Sequence, residues 1–307
     1  MRIHRALALG ASLLVLLSAC TTGGGSTEKP TIKIGSDGFY ESQVVAEMYA
    51  QVLEAAGYTV ERNLGLGPRT VTSPALESGQ IDIKPEYIGS GTAFYDATKN
   101  SPDAAANAAA LAELLAPKGI TILDYSPGED TNAFVVRQDT AEEYGLTKIS
   151  DLTAIQDELT WGLPSECETN VLCGGALADA YGIAFPPKNL ETLEACGAPI
   201  AEALNGGAVD VAELCSTQPA IGQFGFVVLD DDQDTQPAEN MAPIVRDDYL
   251  AKLSESDRTA FEKLLNDVSA TLTTEALTQL GVDINIDQKD IDDAAKDFLV
   301  ANGLLSA

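Results

Sequence analysis

The sequence predicts two α/β lobes with a cleft between them, and three observations lead there. The chain has 307 residues, enough for two domains that each bury a core. Strand and helix patterns alternate along it, as in a mainly parallel sheet covered by helices. Two stretches also share one pattern. "ALESGQIDIKPEYIGSG" (75–91) and "ALNGGAVDVAELCSTQ" (203–218) both read Ala-Leu, two residues, Gly, one residue, then apolar-Asp-apolar. Aligned, Gly79 falls on Gly207, Asp82 on Asp210, Tyr87 on Cys215, and Ile88 and Gly89 on Ser216 and Thr217. Both strand ends are expected to face the cleft.

The first strand is "TIKIG", alternating and β-branched. A helix is expected from about Glu41, where Val44, Val45, Met48, Tyr49, Val52 and Leu53 recur at helical spacing; Ser42 is its expected cap and Gly57 its stop. "YTVERNL" is a second strand, "GPRTVTSPALESG" a short helix and "QIDIKPEY" a third strand. The Ala-rich run 103–119 has high helix propensity, with "ITILDYS" and "NAFVVR" as strands after it. In the second lobe, "ISDLTAIQ" reads as a capped helix, "LTWGLP" as a strand, "VLCGGALADAYGI" and "GAPIAEALNGG" as helices, and "AVDVAELCS" and "FGFVVLDDD" as strands.

"ENMAPIVRDDYL" is an extended return, and the rest is helical. Ser254 and Ser256 precede a helix with Phe261, Leu264, Leu265, Val268 and Leu272 on one face. Asp287 precedes a last one with Ile291, Ala294, Ala295, Phe298 and Leu299. The expected division is 31–131 with 245–307 as a discontinuous lobe one, and 132–244 as lobe two including the hinge segments. The crossings are expected near Asn132–Arg137 and Ala238–Val245.

Residues 1–19 read as a leader: Arg2, His4 and Arg5 precede an apolar run too short for a comfortable membrane span. "LSAC", ending at Cys20, resembles the lipobox of bacterial lipoproteins, which implies lipidation of Cys20; the alternative is a plain secretory signal. Residues 20–30 have the small, polar, Gly-rich composition of a tether. Loss of Arg2 and Arg5 leaves 16 Lys and Arg against 47 Asp and Glu and takes the formal charge from −29 to −31. Such a surface argues against a nucleic-acid partner and keeps the chain soluble without specifying a ligand.

Cys167, Cys173, Cys196 and Cys215 remain, an even number in an exported chain, and disulfides are expected. Three pairings are open, with Cys167–Cys173 and Cys196–Cys215 preferred. Zinc is disfavoured because His4, the single histidine, leaves with the leader. The same count removes Ser-His-Asp, Cys-His and His-zinc chemistry. Carboxylate-pair hydrolysis survives, since 47 acids always offer pairs.

Six stretches, "GFYESQVVAEMYAQVLEAAGY", "GQIDIKPEYIGSG", "FVVRQDTAEEYGLTKISDL", "GGAVDVAELCST", "FVVLDDD" and "APIVRDDYL", together resemble the substrate-binding proteins of ABC importers for glycine betaine, choline and related osmoprotectants. The resemblance covers nearly the whole mature chain. It implies a type II periplasmic-binding fold, two α/β lobes on a two-strand hinge closing on a small solute. It also implies aromatic faces around a quaternary ammonium group, whose charge is spread over methyls that donate no strong hydrogen bonds.

Tyr87, in Lys84-Pro85-Glu86-Tyr87, matches one cage tyrosine. Ser216 and Thr217 match the family's Ser-Thr, followed here by Gln218. Two other cage aromatics are replaced, by Asn132 and Cys215. Polar family positions fall on Asp37 and Ser90, and Asp37 is expected to meet a cation or a hydroxyl. Tyr40, Tyr125 and Phe39 are alternatives for a rebuilt aromatic wall or for core packing. The expected ligand set is therefore Asp37, Tyr40, Tyr87, Ser90, Asn132, Ser216 and Thr217, with no cofactor, metal or catalytic residue.

The expected role is extracytoplasmic capture of a solute for a membrane permease by a lipid-anchored monomer. An amino acid, polyol or polyphenol ligand, a solute-sensing lipoprotein and a carboxylate hydrolase are the rival readings.

Overall fold

The computed structural model describes residues 29–184, 187–194 and 196–306; the leader, Cys20 and most of the tether lie outside the described residues. The chain opens with β1 (Ile32–Gly35), α1 (Tyr40–Ala55), β2 (Val60–Asn63), α2 (Arg69–Glu77), β3 (Ile83–Tyr87), α3 (Ile88–Asp96), α4 (Ala104–Leu115) and β4 (Ile120–Ile122). It continues with β5 (Asn132–Val136), α5 (Gln138–Tyr144), β6 (Trp161–Leu163), α6 (Gly174–Tyr181), β7 (Leu190–Thr192), α7 (Ala198–Asn205), β8 (Val211–Cys215), α8 (Ala220–Phe224) and β9 (Val227–Val228). It ends with β10 (Met241–Arg246), α9 (Asp247–Leu250), α10 (Glu255–Thr271), α11 (Thr274–Gly281) and α12 (Ile291–Ala301).

These strands make two five-stranded mixed sheets, ordered β2-β1-β3-β10-β4 and β7-β6-β8-β5-β9. In the first, β1 runs parallel to β2 and β3, while β10 runs antiparallel to β3 and β4. The second repeats every one of these relations, with β6 for β1, β8 for β3 and β5 for β10. The aligned motifs correspond in detail. Gly79 and Gly207 turn the chain into β3 and β8 with φ of +76° and +72°, a left-handed conformation that a Cβ would strain. Asp82 Oδ2 accepts from Lys33 N at 3.0 Å, and Asp210 Oδ2 from Thr160 N at 2.9 Å. Each aspartate also meets an arginine at the end of an antiparallel strand, Arg246 or Arg137.

The apolar face of α1 is buried against Phe261, Leu265, Val268 and Leu272 of α10 and Ala294, Ala295 and Leu299 of α12, so the C-terminal helices complete lobe one. Burial of the Phe, Leu and Val side chains among these supplies about 1.5–3 kcal/mol each and holds α1, which carries site residues, on its sheet. α10 is capped as expected, Ser254 Oγ accepting from Asp257 N. Three local expectations change. Ser42 does not cap α1, which starts at Tyr40; its hydroxyl accepts from Asp37 N at 3.0 Å and closes the β1–α1 loop. "ISDLTAIQ" forms a 3₁₀ turn, Ile149–Ala154, anchored by the Asp151 carboxylate on Thr147 N and Lys148 N. Asp287 closes the π-turn Val282–Ile286, and Asp290 precedes α12.

The crossings fall one segment earlier than expected. β5 pairs with β8 and β9, and β10 with β3 and β4, so the strands at 132–136 and 241–246 are sheet interior. The short segments before them pass between the lobes and pair with each other: Glu129 bridges Asn240, and Asp130 N donates to Glu239 O at 3.0 Å. Asn240 Nδ2 donates to the carbonyls of Ser126 and Gly128, tying the two segments into one strap.

Candidate functional site between the lobes

Where β1 ends, the loop 36–39 delivers Tyr40 and Glu41 on the first turn of α1. Where β3 ends, Tyr87 projects toward the same place. From the second lobe, the end of β8 brings Ser216 and Thr217, and the first crossing brings Asp130. These groups meet on Glu41, which is 1% exposed. The Tyr87 hydroxyl donates to Glu41 Oε2 in a short hydrogen bond, and Thr217 Oγ1 donates to Oε1 at 3.1 Å. Thr217 N and Ser216 Oγ donate to Asp130 Oδ1 at 2.9 and 3.2 Å. The Phe39 ring lies 5.8 Å from that of Tyr87. Tyr40 is buried beside Thr217 and Gly281 of α11, where a Cβ would come within 2.8 Å of both Tyr40 Oη and Pro219; that close approach between lobes requires glycine.

Burial, and then the facing charge of Asp130, push Glu41 well above the usual carboxylate range, while the bonds from Tyr87 and Thr217 pull the other way. Burial also raises Asp130, against the pull of the Thr217 amide. Two carboxylates thus face each other out of water, and a cation placed between them would let both ionise.

Asp37 and Ser90 stand apart from this cluster. Asp37 Oδ1 accepts from Thr72 Oγ1 at 2.5 Å and Lys84 Nζ at 2.8 Å; the cation it meets is the protein's own. Lys84 also pairs with Glu86 at 3.1 Å, Arg69 with Glu86 at 2.8 Å, and Arg69 donates to Ser90 Oγ at 2.6 Å. Against the cost of burial, Arg69 and Lys84 hold Glu86 down at about 2. Beside them, burial pushes Glu239 up to about 8, opposed by the amide and hydroxyl of Ser90 and by Arg69.

Asn132 donates to Gln236 Oε1 at 3.2 Å, and both line a cavity of about 350 Å³ next to the cluster. Ser216 belongs to both, and Phe134, Asp230 and Asp231 complete much of the wall. Tyr125 is 37% exposed and forms no part of it.

Disulfides join Cys167 to Cys173 and Cys196 to Cys215, each with Cα atoms 5.0 Å apart; the second ends β8 directly before Ser216. Glu213 approaches the first, its Oε2 2.9 Å from Cys173 Sγ. Burial, then the charge of Glu166, push this carboxyl up to about 8. The three groups are close enough for a metal, but both sulfurs are committed to the disulfide.

Of the expected ligand set, the structure gathers Tyr40, Tyr87, Ser216 and Thr217 at one point, sets Asn132 in the adjoining cavity, and assigns Asp37 and Ser90 to the ion network. Sequence reasoning missed Glu41 and Asp130. The available signal for Glu41 was an acid directly after two aromatics at a helix start, on the helix's core side.

Two lobes of one plan, a two-segment strap and a buried polar cluster between them define a type II periplasmic-binding fold for capturing a solute. Residues 30–301 match OpuAC, the substrate binding domain of ABC-type glycine betaine transport systems, and the chain belongs to this family. It is the solute-capturing component of an ABC transporter and works with a membrane permease. It is 27% identical to the glycine-betaine-binding protein of Pseudomonas aeruginosa over 301 residues, covering 95% of this chain and 94% of the relative. It is 29% identical to the carnitine transport binding protein OpuCC of Listeria monocytogenes, covering 94% and 92%. Apo YehZ from Escherichia coli superposes with a TM-score of 0.62 at 27% identity, over 90% of this chain and 99% of YehZ.

Proposed function

We propose that the solute is a quaternary ammonium compound, held between the lobes with Glu41 and Asp130 beside its charge and the rings of Tyr87, Phe39 and Tyr40 around its methyl groups. The observation that carries this reading is the buried meeting of Glu41 and Asp130, bridged by Thr217 from the opposite lobe. Two desolvated carboxylates hold a proton unless a cation lies between them, and a bulky cation with no strong donors is best matched by aromatic faces. The names of the glycine betaine and carnitine relatives support the same class. Ser216, Thr217 and Asn132 supply polar contacts to the rest of the solute, while Asp37 and Ser90 act from behind, through Lys84 and Arg69.

The solute leaves unchanged, and the mobile units are taken as 31–131 with 241–307, and 132–240. The boundary is moved to 241 because all of β10 pairs with lobe one. A lipid on Cys20, with residues 20–30 as tether, would hold a monomer outside the cytoplasm near its permease. Among the described residues no helix is long and apolar enough to cross a membrane.

A thermal-shift series with choline, glycine betaine and carnitine tests the ligand class. A true ligand at about 100 times its Kd adds about 2.7 kcal/mol of stability. No shift with any of the three, alongside a shift with a neutral polyol or an amino acid, refutes the reading.

A further inference from the structure

A carboxylate of this chain stands at each of the two strand ends, and at one of them it already takes the donors. After β8, the Thr217 amide and Ser216 hydroxyl donate to Asp130. After β3, buried Glu239 lies beside Ser90, whose amide and hydroxyl lower its carboxyl against the effect of burial, while one of its oxygens has no hydrogen-bond partner. Asp130 lies on the first crossing and Glu239 on the second, and the two residues are joined through their backbones at 3.0 Å. Each crossing thus places one acid at a different lobe's strand end, where a solute's anionic group would otherwise find backbone donors.

No replacement donors of positive charge stand nearby. Among the described residues lining the adjoining cavity there is no Lys, Arg or His, and its charged members are Asp230 and Asp231. Arg69 and Lys84 are engaged by Glu86 and Asp37. Tyr40 Oη, in a side chain about nine-tenths buried, faces Thr217 and the two carboxylates without a well-formed hydrogen bond.

We propose that this cleft selects a cation with no carboxylate of its own, a quaternary ammonium with a neutral hydroxyl-bearing tail of the choline type, over a zwitterionic betaine. The inference rests on reading the cleft as a quaternary ammonium site. The ammonium group satisfies Glu41 and Asp130. The tail's hydroxyl has neutral partners in either direction: Tyr40 Oη at the cation's side or, past Ser216, Asn132 and Gln236 in the cavity. A betaine would have to lay its carboxylate past buried Glu41 and Asp130 toward a cavity whose charged members are also acids, a repulsion that its positive end only partly offsets.

Calorimetric titration of the purified full chain with choline and with glycine betaine, between about pH 5.5 and 8, decides the matter. The titratable groups facing Glu41 are Asp130, Tyr40 and Tyr87, so a bound cation drives proton release from the carboxylates and choline affinity rises with pH. Choline is expected to bind at least about tenfold tighter than glycine betaine at neutral pH. Glycine betaine binding as tightly as choline at neutral pH, or a choline affinity that does not rise with pH, overturns the inference and leaves the quaternary ammonium reading intact. If neither binds at millimolar concentration, both fall.

Asp130→Asn should weaken choline by about tenfold and narrow the gap to glycine betaine, because the Thr217 amide is then no longer held by a charge. Glu41→Gln should also weaken choline while leaving that amide as it is. Unchanged choline affinity in whichever variant keeps the native fold overturns the proposal.

Discussion

The two lobes share a sheet order, strand directions, a left-handed glycine and a buried aspartate, yet they brace the cleft end of the equivalent strand by different means. Along β3 the brace is ionic: Lys84 lies between Asp37 and Glu86, and Arg69 ties Glu86 to Ser90. Along β8, at the aligned positions, Ala212 and Leu214 replace Lys84 and Glu86, and the brace is covalent, with Cys215 bonded to Cys196. The one acid there, Glu213, has no cation and is kept near neutrality by burial. One topology therefore accepts either solution, provided the residues after each strand, Ile88–Ser90 and Ser216–Gln218, are held at the cleft.

The ionic brace is the more fragile to a single change. Lys84→Met leaves Asp37 and Glu86 buried without their shared cation and should cost about 3–5 kcal/mol in chemical denaturation. A loss below about 1 kcal/mol would mean that Arg69 and Thr72 suffice and that the lobes differ less than the pairing suggests.

Opening the covalent brace should cost somewhat less. The loops closed have sequence separations of 19 and 6, so paired Cys→Ser changes at Cys196 and Cys215 should cost about 3 kcal/mol and at Cys167 and Cys173 about 2 kcal/mol. Hydrogen exchange should show the loss in β8 and α7 while lobe one keeps its protection. Equal loss of protection in β1 and β3 would make the two lobes one cooperative unit and break the comparison.

Glu213 distinguishes the lobes by pH. Its folded value of about 8 lies above the unfolded 4.5, so the native chain keeps a proton that the unfolded chain has released. That contribution is complete below about pH 4.5 and is lost as pH rises through about 8. Glu213→Gln should remove this slope and raise stability at pH 8 by on the order of 2 kcal/mol relative to pH 5. Glu239, also raised to about 8, keeps a slope of its own in the variant. Parallel curves for variant and wild type between pH 5 and 8 would show that Glu213 is ionised in the native state.

What the sequence made legible follows the same division. The repeat predicted the turn glycines, the paired aspartates and the convergence of Tyr87 with Ser216 and Thr217, because backbone geometry demands those residue types at fixed offsets. The arginines that complete each aspartate, Arg246 and Arg137, were invisible, since they arrive from strands more than 70 residues away in one case and more than 160 in the other. Glu41 and Asp130 were hidden among 47 acids, as no local pattern separates a buried carboxylate from a solvated one. Asp37 was misjudged for the reverse reason: its carboxylate was visible and its partner Lys84, 47 residues away, was not. The crossings moved because β-branched runs such as Val135–Val136 look alike whether they span two sheets or complete one.

The smallest change is the sharpest probe of how the lobes meet. Glu41 accepts one bond from its own lobe, through Tyr87, and one from the other, through Thr217. Thr217→Val keeps the side chain's shape and the backbone bond to Asp130 but removes the donor that reaches across the cleft. Tyr87→Phe removes a donor to the same carboxylate from within lobe one and keeps the ring face. Each should weaken solute binding by about 1 kcal/mol, roughly fivefold. Only a bond made when the lobes are together can bias the balance between open and closed forms. Small-angle scattering at subsaturating solute should therefore show a larger radius of gyration for Thr217→Val than for Tyr87→Phe when both are compared at equal occupancy. Identical scattering from the two variants would mean that Thr217 touches Glu41 in open and closed forms alike, and that closure is driven by the solute's own contacts with each lobe.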